Sequence, residues 1–159
     1  MSSLDALPLA LFRPPVVLVV EGRATSRLTT CRLLRALGYE GQGAHNGQQA
    51  LRIMRQHPAL FHLIIANALL PDMDGGELAE RAKDQEPGIR VVLVADYVPL
   101  GRTAEILEAF PELPVLSKPF GFRELYAVLT PLLGPPRIAV ALPAGRRLRR
   151  RSRERKVGK

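Results

Sequence analysis

One short run of apolar residues constrains the fold of this chain more than any other feature. Val16–Val20 contains only valine and leucine, and the pair Pro14-Pro15 precedes it. A strand that is apolar on both of its faces is typical of a parallel sheet with helices packed on each side. The run therefore predicts the first strand of an α/β fold.

The remainder of the chain predicts a regular alternation of helices and strands. Apolar residues at helical spacing and capping sequences predict five helices, over residues 25–37, 46–54, 74–85, 101–110 and 121–130. Short runs between them predict four more strands, over residues 39–44, 61–66, 91–94 and 114–117. The second strand contains Gly41 and Gly43, so we expect it to be short and to lie at an edge. Five strand-to-helix repeats predict a doubly wound parallel sheet.

Two of the predicted helices begin at capping-box sequences. Asn46 is followed three residues later by Gln49, and Asp74 is followed three residues later by Glu77. Asp72 lies in the same turn-rich loop as Asp74. We assign both aspartates structural roles in the turn and in capping.

Length and composition indicate one folded domain with extensions. The chain has 159 residues, of which 47% are hydrophobic and 24% are charged, as in ordinary globular proteins. We divide it into an N-terminal extension over residues 1–14, a domain over residues 15–133, a proline-rich linker over residues 134–145 and a basic tail over residues 146–159. We expect no room for a DNA-binding or catalytic output domain after residue 133.

The basic tail accounts for the whole net charge. The formal net charge is +8, and residues 146–159 contain nine Arg or Lys and one Glu, whereas the residues before them are balanced in charge. Arginines and lysines near phosphates release counterions, so the tail predicts salt-sensitive binding to nucleic acid, anionic lipid or an acidic partner. The alternative is a solvated terminus without a binding function. The candidate binding residues are Arg146, Arg147, Arg149, Arg150, Arg151, Arg153, Arg155 and Lys156.

Cysteine content and hydropathy predict a cytoplasmic protein. Cys31 is the single cysteine, and it belongs to the apolar pattern of the first helix, where we expect it to fill core volume in a reducing compartment. No basic region precedes the first apolar stretch, as a signal peptide would require. No apolar run approaches the roughly 18 residues of a membrane span.

Three segments at the carboxyl ends of the predicted strands form a recognisable pattern. They are Val-Leu-Val-Val-Glu-Gly ending at Gly22, Asn-Ala-Leu-Leu-Pro-Asp-Met-Asp-Gly ending at Gly75, and Ser-Lys-Pro-Phe at residues 117–120. The pattern resembles the receiver domain of bacterial two-component response regulators, over about residues 15–133. The resemblance implies a flavodoxin-like (βα)5 sheet with the strand order 2-1-3-4-5. Ligands of such sheets bind beyond the carboxyl ends of the strands.

The resemblance also implies a phosphorylation site, from which this sequence departs. In the family, an aspartate at the end of the third strand accepts a phosphoryl group, and a magnesium ion is held by that aspartate and by acidic residues after the first strand. A lysine after the fifth strand and a serine or threonine after the fourth bind the phosphoryl oxygens. In this chain the corresponding positions hold Asn67, Glu21-Gly22, Lys118-Pro119 and Ala95.

These departures remove chemistry that the site needs. The carboxamide of Asn67 is neutral and cannot form an acyl phosphate. Gly22 leaves Glu21 as the one charged oxygen ligand for a cation, and Ala95 has no hydroxyl. We expect no phosphoryl acceptance, no enzymatic activity and no metal or cofactor; the histidines also lack the spacing of metal ligands. Lys118 and Glu21 form either a residual site or a structural pair, in which Lys118 contacts Glu21 or the Asn67 oxygen.

Together these features describe a stand-alone, degenerate receiver-type signalling module that acts through a protein partner or as a homodimer. The partner face that the resemblance implies, on helix four, strand five and helix five, would include Ile106, Phe110, Val115, Phe122 and Tyr126, some of which are expected to be core. One alternative is a nucleic-acid-binding protein that uses the receiver fold as a dimerising platform. The other, an enzyme of flavodoxin-like topology, is disfavoured because Gly22 is the one glycine directly after the first strand, where a phosphate-binding loop needs several.

Overall fold

The computed structural model describes residues 13–136, which contain five strands in alternation with five helices. The strands are β1 (Val16–Val20), β2 (Glu40–Ala44), β3 (Leu63–Asn67), β4 (Arg90–Asp96) and β5 (Val115–Lys118). The helices are α1 (Ala24–Ala36), α2 (Gly47–Gln56), α3 (Gly75–Gln85), α4 (Gly101–Ala109) and α5 (Phe122–Leu133). Neighbouring strands are parallel, in the order β2-β1-β3-β4-β5, which confirms the predicted fold.

The described range covers the predicted domain but not all of its extensions. Residues 1–12 and 137–159 lie outside it, and with them most of the N-terminal extension, most of the linker and all eight tail residues predicted to bind polyanions. Within residues 13–136, no helix combines the length and the apolar character that crossing a membrane requires.

Helices cover both faces of the sheet because its central strands are apolar on both faces. Val17 and Val19 belong to a buried cluster that includes residues of α1 and α5, whereas Leu18 and Val20 belong to a second cluster that includes residues of α2, α3 and α4. Successive side chains of a strand point to opposite faces, which produces this division. All five residues of β1 are buried, as the apolar run predicts.

Three strands continue further toward their carboxyl ends than the sequence predicts. β3 ends at Asn67, β4 at Asp96 and β5 at Lys118, because parallel pairing extends to these residues. Asn67 lies opposite Val94 in the register, and Asp96 lies opposite Lys118. Asn67 and Lys118 therefore stand on the last positions of their strands rather than on the loops after them.

Helix α5 is about one turn longer than predicted and continues through Pro131 to Leu133. A proline inside a helix removes one backbone hydrogen bond. Leu132 and Leu133 pack against the cluster on the α1 and α5 face, and the burial of their side chains offsets this loss. The helix ends at Gly134, whose φ of 75° lies in the left-handed region that favours glycine.

The glycines of β2 allow helix α1 to approach the sheet closely. A Cβ atom at Gly41 would lie 3.1 Å from the Cα of Cys31, and one at Gly43 would lie 2.9 Å from the Cδ of Arg27. Cys31 is partly buried and packs against the core, and burial raises the pKa of its thiol. The predicted position of β2 at an edge of the sheet is confirmed.

The two capping sequences cap their helices, but neither forms the full reciprocal box. Asn46 Oδ1 accepts the Gln49 N–H at 2.8 Å, while Gln49 Oε1 accepts the N–H of His45 rather than that of Asn46. In α3, the Glu77 carboxylate pairs with Arg81 at 2.7 Å instead of returning to the start of the helix. In each helix the N-cap side chain therefore acts without the return bond from the residue three positions later.

Candidate functional site

Two aspartates in the loop between β3 and α3 cap two different helices. Asp74 Oδ1 accepts the Glu77 N–H at 2.7 Å and caps α3. The Asp72 carboxylate accepts the N–H groups of Gly47 and Gln48, each at 2.9 Å, and so caps α2. Burial raises the pKa of Asp72, but these hydrogen bonds outweigh burial and leave its pKa below the ordinary value. The capping role predicted for these aspartates is confirmed, and that of Asp72 extends to a neighbouring helix.

Three of the predicted site residues meet at the carboxyl ends of β1, β3 and β5. Asn67 Nδ2 donates a hydrogen bond to Glu21 Oε2 at 3.0 Å, and Lys118 Nζ lies 3.4 Å from the same oxygen. The other Glu21 oxygen accepts the N–H of Arg23 at 3.1 Å. Glu21 is only 8% exposed, so these donors take the place of water. Lys118 thus pairs with Glu21, and not with the side-chain oxygen of Asn67.

Both the nitrogen and the oxygen of the Asn67 side-chain amide form hydrogen bonds. Its Nδ2 faces Glu21, and its Oδ1 accepts the N–H of Leu69 at 3.3 Å. An ionised carboxylate at this position could accept the hydrogen bond from Leu69, but it has no hydrogen to donate to Glu21. The observed contact with Glu21 therefore requires the amide.

The other predicted positions add no polar side chain to this cluster. Gly22 is exposed, and a Cβ atom there would lie 3.2 Å from the Cγ of Pro71. Ala95 is 3% exposed within β4 and has no hydroxyl to offer. Pro119 follows Lys118 through a cis peptide bond.

These residues do not fit the magnesium ion that the family resemblance implies. A hard divalent cation takes several oxygen ligands, whereas both oxygens of Glu21 accept hydrogen bonds and Asn67 presents its NH₂ group. Within residues 13–136, no three His, Cys, Asp or Glu side chains are grouped so that they could hold a metal. Of the histidines, His62 accepts the N–H of Val16 at 3.0 Å, which is a structural role.

A cavity of about 550 Å³ lies beside the cluster, between α1 and the strand ends. Val19 and Ile65 contribute to its apolar lining, Thr25 and Thr29 line it on the α1 side, and the exposed Asp96 stands at the end of β4. The sequence reasoning did not include these two threonines. The signal that could have revealed them is their one-turn spacing on the helix that directly follows β1.

The predicted partner face lies only partly at the surface. Ile106 is 4% exposed and packs in the cluster that includes α2, α3 and α4, so its assignment to the partner face is wrong. Phe110 is partly buried, with its ring over Gly76 of α3. The remaining three predicted residues are exposed, namely Val115 at 39%, Phe122 at 51% and Tyr126 at 42%.

Comparison with known proteins identifies the family. The family model described as the response regulator receiver domain matches residues 17–130. The response regulator receiver protein CpdR of Brucella abortus is 28% identical over 109 residues, which cover 69% of this chain and 88% of CpdR. The sensor kinase CckA of the same species is 28% identical over 117 residues, which cover 74% of this chain but 12% of the kinase.

A solved structure supports the same assignment. The receiver domain of the sensor histidine kinase PA1611 of Pseudomonas aeruginosa, which has a magnesium ion coordinated in its active site cleft, is 25% identical. Its TM-score is 0.65, and the match covers 76% of this chain and 98% of that chain. The family model, the strand order and the positions of Glu21, Asn67 and Lys118 agree, and this chain belongs to the response regulator receiver domain family of two-component signalling.

Proposed function

We propose that this receiver domain is a non-enzymatic signalling module whose output does not depend on phosphorylation at the strand ends. The observation that carries the proposal is the 3.0 Å hydrogen bond from Asn67 to Glu21. An amide stands where the family has its phosphoacceptor, and it donates to an oxygen of the carboxylate that corresponds to the family's metal ligand. Lys118 is paired with the same carboxylate.

The charge balance of the cluster supports the proposal. Glu21 and Lys118 carry opposite charges 3.4 Å apart, and Asn67 is neutral. A phosphoryl group brought to this site would add negative charge beside Glu21 with no divalent cation to neutralise it. The cluster is therefore suited to holding three strand ends together and unsuited to phosphoryl transfer.

The output in this proposal is a contact with a protein partner or a second copy on the face formed by α4, β5 and α5. Val115, Phe122 and Tyr126 are exposed on β5 and α5. The segment between β4 and α4 adds Tyr97 and Leu100, which are 79% and 76% exposed. Exposed apolar side chains that gather in one region are characteristic of interaction surfaces.

Amide NMR spectra of the wild-type chain and of the Asn67→Asp variant test independence from phosphorylation. Each is recorded alone, with Mg²⁺, and with Mg²⁺ plus acetyl phosphate. We expect the wild-type resonances of Glu21, Asn67 and Lys118 to stay in place in all three conditions. Wild-type resonances that shift with acetyl phosphate and carry the change to α4 and β5 would contradict the proposal.

The partner face has its own test in sedimentation equilibrium. If the partner is a second copy, the double variant Phe122→Ser, Tyr126→Ser dissociates the dimer. The control is Leu28→Ser, because Leu28 is also exposed, at 56%, but lies on α1. Equal association of all three chains would remove this face from a homodimer.

A further inference from the structure

The described part of the chain has no net charge, yet its charges are separated into two regions. Residues 22–58, which include α1, β2 and α2, contain six arginines and one glutamate, a net charge of +5. Residues 59–136 contain six basic and eleven acidic residues, a net charge of −5. Helices α1 and α2 pack on opposite faces of the sheet and both contact the edge strand β2, so the positive residues gather around one edge of the sheet. We call residues 22–58 the basic edge and residues 59–136 the acidic region.

Arginines of α1 follow the edge strand. Arg27, Cys31 and Arg35 are spaced four residues apart, so they share one face of the helix. A Cβ atom at Gly41 would contact Cys31, and one at Gly43 would contact Arg27, which shows that this face lies against β2. The Nη1 of Arg27 also donates a 2.8 Å hydrogen bond to the backbone oxygen just after β1. This side of α1 therefore carries positive charge along the edge.

The arginines of the basic edge are available to a ligand. Among residues 13–136, the three salt bridges all lie outside this edge, and two of them hold Arg81 and Arg102 of the acidic region. The basic edge has one acidic residue, Glu40, which forms none of them. Five of its six arginines are exposed, namely Arg23, Arg32, Arg35, Arg52 and Arg55.

The side chains of this edge are better suited to binding phosphate groups than to binding a protein or a lipid surface. All of its cationic residues are arginines, whose planar guanidinium binds phosphate oxygens in pairs. Protein and membrane interfaces usually include large apolar anchors, and Leu28 is the one large apolar residue well exposed on the described edge. The well-exposed aromatic residues of the described chain, Tyr97, Phe122 and Tyr126, lie in the other region, so none can stack on unpaired bases here.

We propose that the basic edge binds the phosphate backbone of duplex nucleic acid without reading its sequence. Helix α1 is 13 residues long and spans about 20 Å, a length over which a duplex presents several phosphates. The surface is distinct from the basic tail. It is also separate from the proposed signalling face, because that face is built around β5, the strand at the opposite edge of the sheet from β2.

The test compares two charge-matched variants of the full chain, so that the tail is the same in both. The edge variant is Arg35→Gln, Arg52→Gln, and the control variant is Arg81→Gln, Arg123→Gln in the acidic region. Binding to a labelled mixed-sequence duplex of about 20 base pairs is measured by fluorescence anisotropy over a salt series. The binding constant falls as salt rises, and each lost phosphate contact makes the slope of log K against log salt less steep by about 0.9. The edge variant lacks two arginines, so its slope is expected to be less steep than that of the wild type by about 1.8. The control is expected to keep the wild-type slope.

Two further probes separate phosphate binding from other attraction to negative charge. One probe is a vesicle that contains phosphatidylserine, and the other is a poly-glutamate chain. Each is tested with the wild type, the edge variant and the control variant. The proposal is supported if the edge-specific loss appears with the duplex and is smaller with both other probes. It is overturned if edge and control variants have the same slope with the duplex, or if vesicles or poly-glutamate show the larger edge-specific loss. Thermal unfolding of each variant confirms that the compared chains are folded.

Discussion

Asn67 and Glu21 are joined by a hydrogen bond that crosses from β3 to the end of β1, in which Asn67 Nδ2 donates to Glu21 Oε2 at 3.0 Å. The direction of this bond follows from chemistry, because an ionised carboxylate can only accept. It ties the position of the family's phosphoacceptor to the position of its metal-binding acid. The receiver fold is retained around a site whose side chains are bound to one another.

Replacing Asn67 by aspartate is expected to destabilise the chain at neutral pH more than replacing it by alanine. Asn67→Ala removes a hydrogen bond to a buried carboxylate and is expected to cost about 1–2 kcal/mol. Asn67→Asp also places a second negative charge beside Glu21, which raises the pKa of one of the two carboxyls in the folded state. Its extra cost therefore grows as pH rises through that pKa and disappears in acid. Urea unfolding of both variants between about pH 4 and 8 measures this difference, and parallel pH profiles would refute it.

Restoring metal binding is expected to require two substitutions together. Gly22→Asp adds a carboxylate in a position where its Cβ meets Pro71 at 3.2 Å, which a small movement of the ring relieves. Ligands of one ion act as a unit, so Gly22→Asp with Asn67→Asp should bind Mg²⁺ more tightly than the two single changes predict. Isothermal titration calorimetry with Mg²⁺ measures the affinities.

The matched control for this pair is Gly88→Asp with Asn67→Asp, because nothing lies within 4 Å of a Cβ atom at Gly88. It adds the same charge away from the site and is expected to bind no better than Asn67→Asp alone. Tight Mg²⁺ binding by Asn67→Asp alone would show that the site is less degraded than its contacts indicate.

Acid is expected to weaken the cap that Asp72 provides to α2. The pKa of Asp72 is lowered in the folded chain, so its contribution is complete above the unfolded-state pKa of about 3.9 and is lost as pH falls through the lower folded value. Asp72→Asn should remove this part of the acid sensitivity and cost about 1 kcal/mol at neutral pH. Urea unfolding between about pH 2 and 7 tests this, with the exposed Asp84→Asn on α3 as the control. Equal acid sensitivity of wild type and Asp72→Asn would contradict it.

The packing of Phe110 over Gly76 is expected to make an alanine at residue 76 destabilising. A Cβ atom there would overlap the Phe110 ring, although alanine is otherwise better than glycine in a helix by about 1 kcal/mol. A net loss of about 1–3 kcal/mol is expected if the ring is held in place. Gly88→Ala is the control, because its Cβ meets open space. The melting temperatures of the variants are measured by thermal unfolding. A Gly76→Ala variant that melts at a higher temperature than the wild type would show that the Phe110 ring moves away from residue 76 at little cost.

The alternation of five strands and five helices could be predicted because its signals are local and periodic, whereas the strand order was implied by the resemblance to receiver domains. Val16–Val20 is apolar on both faces, which predicts a sheet that is covered on both sides. The ends of elements were less predictable, because they depend on neighbours. Asn67 belongs to β3 through its register with Val94, and α5 continues past Pro131 because leucines beyond it reach the core.

The resemblance to receiver domains located the site residues, and one of the two contacts expected for Lys118, the one with Glu21, is present. Other partners could not be predicted. Asp72 acts on Gly47, 25 positions earlier, and no local pattern links the two. Ile106 lies on a helix of nine residues, where the sequence does not say which apolar residues face the sheet. The net charge of the residues before the tail is zero, and this sum conceals their separation into a basic and an acidic region. From the sum, only the tail was expected to attract polyanions. The separation of charge becomes meaningful once β2 is placed at an edge beside α1 and α2.

Intact-mass spectrometry of the wild-type chain after incubation with acetyl phosphate and Mg²⁺ tests the central claim most directly. Because Asn67 offers no carboxylate and its amide is bound to Glu21, the mass is expected to remain that of the unmodified chain. A phosphate adduct that is removed by hydroxylamine would identify an acyl phosphate on a carboxylate of this chain. That result would contradict a signalling output independent of phosphorylation.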